Sequence, residues 1–113
     1  MPKTICLDFD GVANLYTGWK GEDELFEPRP GFDSFVLALV AHGYEVVVHS
    51  TRPAEKLERW LEEKAPAVAA IVRVVDKKPP ALVYLDDRGV TFTGDFDDAL
   101  SAILNFKAHW EKP

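Results

Sequence analysis

Lys3-Thr4-Ile5-Cys6-Leu7-Asp8-Phe9-Asp10-Gly11-Val12 decides the fold. A short apolar run bounded by a turn signal reads as a buried strand, here residues 4 to 8. It ends in two carboxylates separated by one residue. Charges at the end of a buried strand are costly unless something pairs with them. A divalent cation answers that need, because Mg2+ takes hard oxygen ligands and often uses one or two carboxylates. Gly11 lets the chain turn sharply past the second acid. The plain alternative is a strand that runs into a polar loop.

Three later stretches bear on that choice. Glu45-Val46-Val47-Val48-His49-Ser50-Thr51-Arg52-Pro53 is a second apolar strand, ending in hydroxyls and a cation. Lys77-Lys78-Pro79-Pro80 is a cationic turn. Ala81-Leu82-Val83-Tyr84-Leu85-Asp86-Asp87-Arg88 is a further apolar strand ending in paired carboxylates. Acid pair, hydroxyl, lysine and acid pair, in that order from Asp8 to Asp87, resemble the haloacid dehalogenase-like (HAD) hydrolase superfamily.

Between these stretches the chain alternates. A helix is expected from Gly31–Asp33 to His42, with Phe35, Leu39 and Val40 on its apolar face and Gly43 as its stop. Strand two spans 44–49. A second helix starts near Pro53, a favourable first helical residue. Its stripe is Leu57, Trp60 and Leu61, and Pro66 bars its continuation. Residues 71–75 read as strand three, 82–86 as strand four and 90–93 as a short edge strand. A last helix is expected over 97–109, with Leu100, Ile103, Leu104 and Trp110 facing the core. Strands alternating with helices imply a parallel sheet, whose sites lie beyond the carboxyl ends of the strands. The resemblance implies more: one HAD-like core domain over residues 1–113, a three-layer Rossmann-like α/β sandwich with strand order 3-2-1-4, and no cap domain. Residues 11–30 match the place of the superfamily's flap. Two of their aromatic residues, Tyr16 and Trp19, either pin that loop to the body or wall a pocket.

The chain has 113 residues, 47% of them hydrophobic, which suits one domain with a real core. Its formal net charge of -6 disfavours nonspecific binding to nucleic acid or anionic membrane. The one cysteine, Cys6, excludes an internal disulfide and reads as a buried, inert thiol. Neither a signal peptide nor a membrane-spanning run stands out, so a cytoplasmic protein is expected.

The chemistry that the resemblance implies is a magnesium-dependent phosphatase with an aspartyl-phosphate intermediate. Asp8 is then the nucleophile and Asp10 the general acid and base. Mg2+ is held by the Asp8 side chain, the Asp10 backbone carbonyl and Asp86, with Asp87 a direct or water-mediated ligand. Ser50 hydrogen-bonds the phosphoryl group, with Thr51 as fallback. The alternative for both hydroxyls is to cap the helix after them. Lys78 matches the superfamily's lysine. Eight steps separate it from Asp86, however, and a straight strand rises roughly 3.3 Å per residue. It reaches phosphate only if Pro79 and Pro80 carry the chain back. Arg52 and Arg88 are the substitute cations, Lys77 faces solvent, and His49 has no role. Asp10 favours phosphoryl transfer over carbon-halogen cleavage, which needs no second acid. The expected substrate is a small phosphorylated metabolite or nucleotide, at a site open to solvent unless an oligomer covers it. The alternatives are a catalytically retired HAD-like binding or scaffold module, and a phosphatase acting on phosphorylated nucleic-acid ends.

Overall fold

The structure is a computed structural model that describes residues 3–14, 25 and 27–107. Its elements run β1 (Thr4–Asp8), α1 (Phe32–Ala41), β2 (Glu45–His49), α2 (Ala54–Lys64), α3 (Pro66–Ala69), β3 (Arg73–Val75), β4 (Val83–Leu85) and α4 (Phe96–Leu104). The four strands form a parallel sheet in the order β3-β2-β1-β4. This is the expected Rossmann-like α/β arrangement. Among the described residues no helix is long and apolar enough to cross a membrane.

Register explains where the core lies. Ile5 pairs with Val46 and Val83, and Leu7 with Val48 and Leu85. Paired residues of parallel strands face the same way, so these side chains share one face of the sheet. Phe32 and Val36 of α1, Leu57, Trp60 and Leu61 of α2 and Val68 of α3 pack on that face, in one cluster with Ile5, Leu7, Val46 and Val48. The other face carries Cys6, Val47 and Tyr84. Segment 76–82 returns across it. The Tyr84 hydroxyl donates to the Pro79 carbonyl at 2.6 Å, and Lys78 Nζ stands 5.8 Å from the Tyr84 ring centre.

Several expectations need correction. The face of α1 that packs carries Phe32 and Val36, whereas Phe35 and Val40 are exposed. Pro66 does not merely end α2. It opens α3, because its fixed φ suits the first turn of a helix and its missing N–H has no partner to lose there. Residues 90–93 form no strand. α4 is held locally: the Asp95 side chain accepts from the backbone N–H of Asp97 and Asp98. Its apolar side chains do not reach the core as expected; Phe96, Leu100, Ile103 and Leu104 are all exposed. Trp110, like Tyr16 and Trp19, lies outside the described residues.

Candidate functional site

The turn that follows β1 is built around Phe9. Its ring is buried and meets Trp60 edge-to-face, with centroids 4.9 Å apart. Its N–H donates to the His49 carbonyl at 3.0 Å, and its carbonyl accepts from the N–H groups of Ala13 and Asn14. One apolar anchor therefore fixes the backbone between Asp8 and Asp10. Gly11 is required twice. Its φ is +89°, in the left-handed region, and a Cβ there would overlap the Asp87 carboxylate.

Asp8, Asp10, His49, Ser50, Thr51, Asp87 and Arg88 line one cleft of about 260 Å3 at the carboxyl edge of the sheet. It joins the ends of β1, β2 and β4, as the topology predicts for this class. Asp86 stands beside it. One of its carboxylate oxygens accepts from the Arg88 N–H at 2.8 Å, and the other lies 4.0 Å from Lys78 Nζ. Lys78 thus reaches the acidic end despite its place in the chain. β4 has only three residues, and segment 76–82 folds back over Tyr84 instead of continuing a straight strand.

The cleft is strongly acidic. Burial pushes the Asp8 carboxyl up from its ordinary 3.8 to about 6, and the charges of Asp87, Asp86 and Asp10 add to the rise. Lys78 opposes it only in part. Such a cluster fits a divalent cation, which removes the repulsion that raises Asp8. Hard carboxylate oxygens with a backbone carbonyl and water suit Mg2+. Among the described residues, however, no three carboxylate, imidazole or thiol groups are already gathered in chelating positions.

Two assignments change with the geometry. Arg52 was expected to face phosphate. Its side chain instead turns inward, almost wholly buried, and its Nε and a terminal nitrogen donate to the two oxygens of Asp10 at 3.0 and 3.2 Å. Asn14 Nδ2 adds a third bond to Asp10 at 2.9 Å. Asp10 is therefore clamped by partners that sequence spacing did not indicate. Ser50 is buried, and its Oγ accepts from the Arg52 N–H at 3.0 Å. Neither Ser50 nor Thr51 caps α2; Pro53 holds that position without a side-chain bond. Accepting from Arg52 leaves the Ser50 O–H available as a donor. Thr51 and Arg88 are exposed at the cleft.

Sequence reasoning also passed over His49. It lines the cleft, and its buried Nδ1 has no hydrogen-bond partner among the described residues. Its register position opposite Asp8 is the signal that would have placed it there. Arg29 lies at the other end of the connection that follows β1, just before α1. It donates to the Gly11 carbonyl at 3.0 Å and so braces the same turn.

No family model matches the chain, and no curated protein does. A solved structure of a conserved protein from Bacteroides thetaiotaomicron is similar, with a TM-score of 0.57 and 20% identity, over 96% of this chain and 94% of that one. That likeness shows the shared fold.

Proposed function

We propose that this chain is a Mg2+-dependent phosphohydrolase that works through an aspartyl-phosphate on Asp8. What carries the reading is one cleft in which Asp8, Asp10, Ser50 and Asp87 meet, with Lys78 and Asp86 at its edge. A carboxylate oxygen of Asp8 attacks phosphorus, and the bond from phosphorus to the ester oxygen breaks. That oxygen takes a proton from Asp10. A water then attacks the acyl phosphate, gives its proton to Asp10, and releases inorganic phosphate and free Asp8. Arg52 and Asn14 fix where the two Asp10 oxygens stand through both steps. The Ser50 hydroxyl in the cleft and the Lys78 ammonium at its edge would bind the transferring phosphoryl group. Asp8, Asp86, Asp87 and the Asp10 carbonyl would hold Mg2+, whose charge offsets the repulsion between phosphate and this acidic cleft.

The cleft is small and the chain carries a net charge of -6, which together favour a small phosphate monoester, a metabolite or nucleotide, over a polyanion. One observation favours the competing reading, a HAD-like module that binds without turnover: among the described residues the acids are not pre-gathered for a cation. Phosphate release from a panel of esters, dependent on Mg2+ and stopped by EDTA, decides between them. No release from any ester would overturn the enzyme reading.

The two acids are separable. Asp8→Asn should form no phosphoenzyme with any ester. Asp10→Asn should still transfer phosphate from an aryl ester, whose leaving group needs little protonation, and then stall. The signature is a burst near one phenol per site, with alkyl esters slowed about 10²- to 10⁴-fold. A burst that survives in Asp8→Asn would remove Asp8 as nucleophile.

A further inference from the structure

Lys78 reaches the acidic cleft by an indirect route. β3 ends at Val75, which pairs with His49 at the carboxyl edge of the sheet. Lys78 follows shortly after, and the chain then descends across the sheet to its opposite edge, where the Leu82 N–H donates to the Thr4 carbonyl at 2.8 Å. Pro79 and Pro80 have no N–H to spend on a ladder, so this descent depends on side chains for its anchor. Tyr84 meets it in two places. Its hydroxyl donates to the Pro79 carbonyl at 2.6 Å, which fixes the residue directly after Lys78. Its ring lies 5.8 Å from Lys78 Nζ, within the range at which a ring face attracts an ammonium. The same nitrogen stands 4.0 Å from Asp86. Tyr84 can do this because it pairs with Cys6, two residues before Asp8, and so shares a face of the sheet with both. Burial raises the Cys6 thiol and the Asp8 carboxyl, and on each the Lys78 charge pulls the other way, as expected for an ammonium held near both.

We propose that Tyr84 is the positioning residue of the phosphate-binding lysine: its hydroxyl pins the Pro79 carbonyl and its ring carries the Lys78 ammonium at the edge of the cleft. This role rests on the phosphohydrolase reading of the cleft, in which Tyr84 acts through Lys78 and not on the substrate itself. A lysine side chain is a point charge on a flexible stem, and Lys78 is half exposed, so its place at the cleft has to be maintained by its neighbours. Asp86 and the Tyr84 ring do this differently. A carboxylate partner neutralises the ammonium and competes with a phosphoryl group for it. A ring face attracts the ammonium through its quadrupole and leaves the charge in place for phosphate. Asp86 also has Mg2+ to serve in the proposed site, whereas the ring has no such second demand.

A spectrum and a double-mutant cycle on the full chain test this. In a carbon-13-labelled chain, the Lys78 ε-methylene resonance, identified by its loss in Lys78→Arg, should lie upfield of the other lysines because the Tyr84 ring shields it. Tyr84→Leu should return it to the common lysine position. Tyr84→Phe, which keeps the ring and drops the pin, should leave it between the two. Tyr84→Leu should also weaken binding of inorganic phosphate in the presence of Mg2+, read by calorimetry, about three- to tenfold, and Tyr84→Phe by less. In a Lys78→Met background the same Tyr84→Leu change should have almost no further effect, because the group it positions is gone. A Tyr84→Leu effect of equal size with and without Lys78 overturns the proposal, since a tyrosine that merely supports the strand acts alike in both. So does a Lys78 resonance indifferent to Tyr84→Leu. Failure of the phosphohydrolase reading looks different. Phosphate that binds while no ester is cleaved removes that reading and leaves the cycle to decide the role of Tyr84. If the unaltered chain binds no phosphate at all, both are overturned.

Discussion

The β1–β2 side of the sheet and the β4–α4 side are built from similarly apolar residues and end in opposite states. Leu7 and Val48 are fully buried in one cluster with α1, α2 and α3, and Val47 is fully buried on the other face. Val83, Tyr84 and Leu85 are as well paired to β1 by register, yet all three are exposed. Strand pairing and burial are thus separate conditions. Backbone hydrogen bonds fix the position of β4, and with it Asp86 and Asp87. Side-chain cover, which supplies most of the stability, is concentrated on the other side. The candidate site straddles the boundary: Asp8, Asp10 and Ser50 stand on the packed side, Asp86 and Asp87 on the open one.

Phe9 offers the largest break in that comparison. Phe9→Ala removes a buried ring from the contact with Trp60 and should cost about 3–5 kcal/mol in urea unfolding. It also frees the backbone between the two acids. If the loss is below about 1 kcal/mol, the packed side is not what fixes the turn.

Arg52 comes next. Arg52→Met keeps much of the side-chain volume but strips Asp10 of two charge-assisted hydrogen bonds. Asp10 remains partly exposed, so water replaces some of what is lost, and the cost should be about 2 kcal/mol. Arg52→Lys should recover less than half of it, because an ammonium cannot span both oxygens. Equal stability of the Lys variant and the unaltered chain would show that charge alone, and not the fork, is at work.

How much of this was legible in the sequence depends on the range of the forces involved. β1 and β2 were readable because an apolar run ending in acids or hydroxyls is a local signal, and their observed bounds match within a residue. The α2 stripe was readable because Leu57, Trp60 and Leu61 stand out among charges. The buried face of α1 was not, since Phe32, Phe35, Val36, Leu37, Leu39 and Val40 surround nearly the whole helix and periodicity cannot choose among them. Arg52 was misplaced for a different reason. Its partner Asp10 lies 42 residues away and comes near only through the sheet. The orientation of α4 was unreadable because an apolar stripe says that a helix wants cover, not which surface provides it.

Asp8 gives a smaller effect with a distinctive sign. Its carboxyl is raised in the folded chain to about 6, so the folded state binds this proton more tightly than the unfolded state does. The associated stability is fully present below the ordinary value of 3.8 and is lost as pH rises through about 6. Asp8→Asn removes the penalty. Without Mg2+ it should unfold at higher temperature than the unaltered chain near neutral pH, by about 1 kcal/mol once solvent screening is allowed for, and the gain should vanish near pH 4. Mg2+ should stabilise the unaltered chain and not the variant. A gain independent of pH would mean that Asp8 is not crowded by the other acids.

The smallest expected effect is the sharpest test of the difference between the two sides. Leu57 and Leu104 are both leucines on amphipathic helices, but Leu57 is fully buried and Leu104 is 74% exposed. Leu57→Ala removes buried methyl groups and leaves a cavity, so it should cost about 2–5 kcal/mol. Leu104→Ala removes atoms that already face water, and alanine is the better helix former, so its effect should stay within about 0.5 kcal/mol. Urea unfolding of the two variants reads both helices. A Leu104→Ala cost above about 2 kcal/mol would mean that α4 lies on a core and would erase the contrast between the two sides.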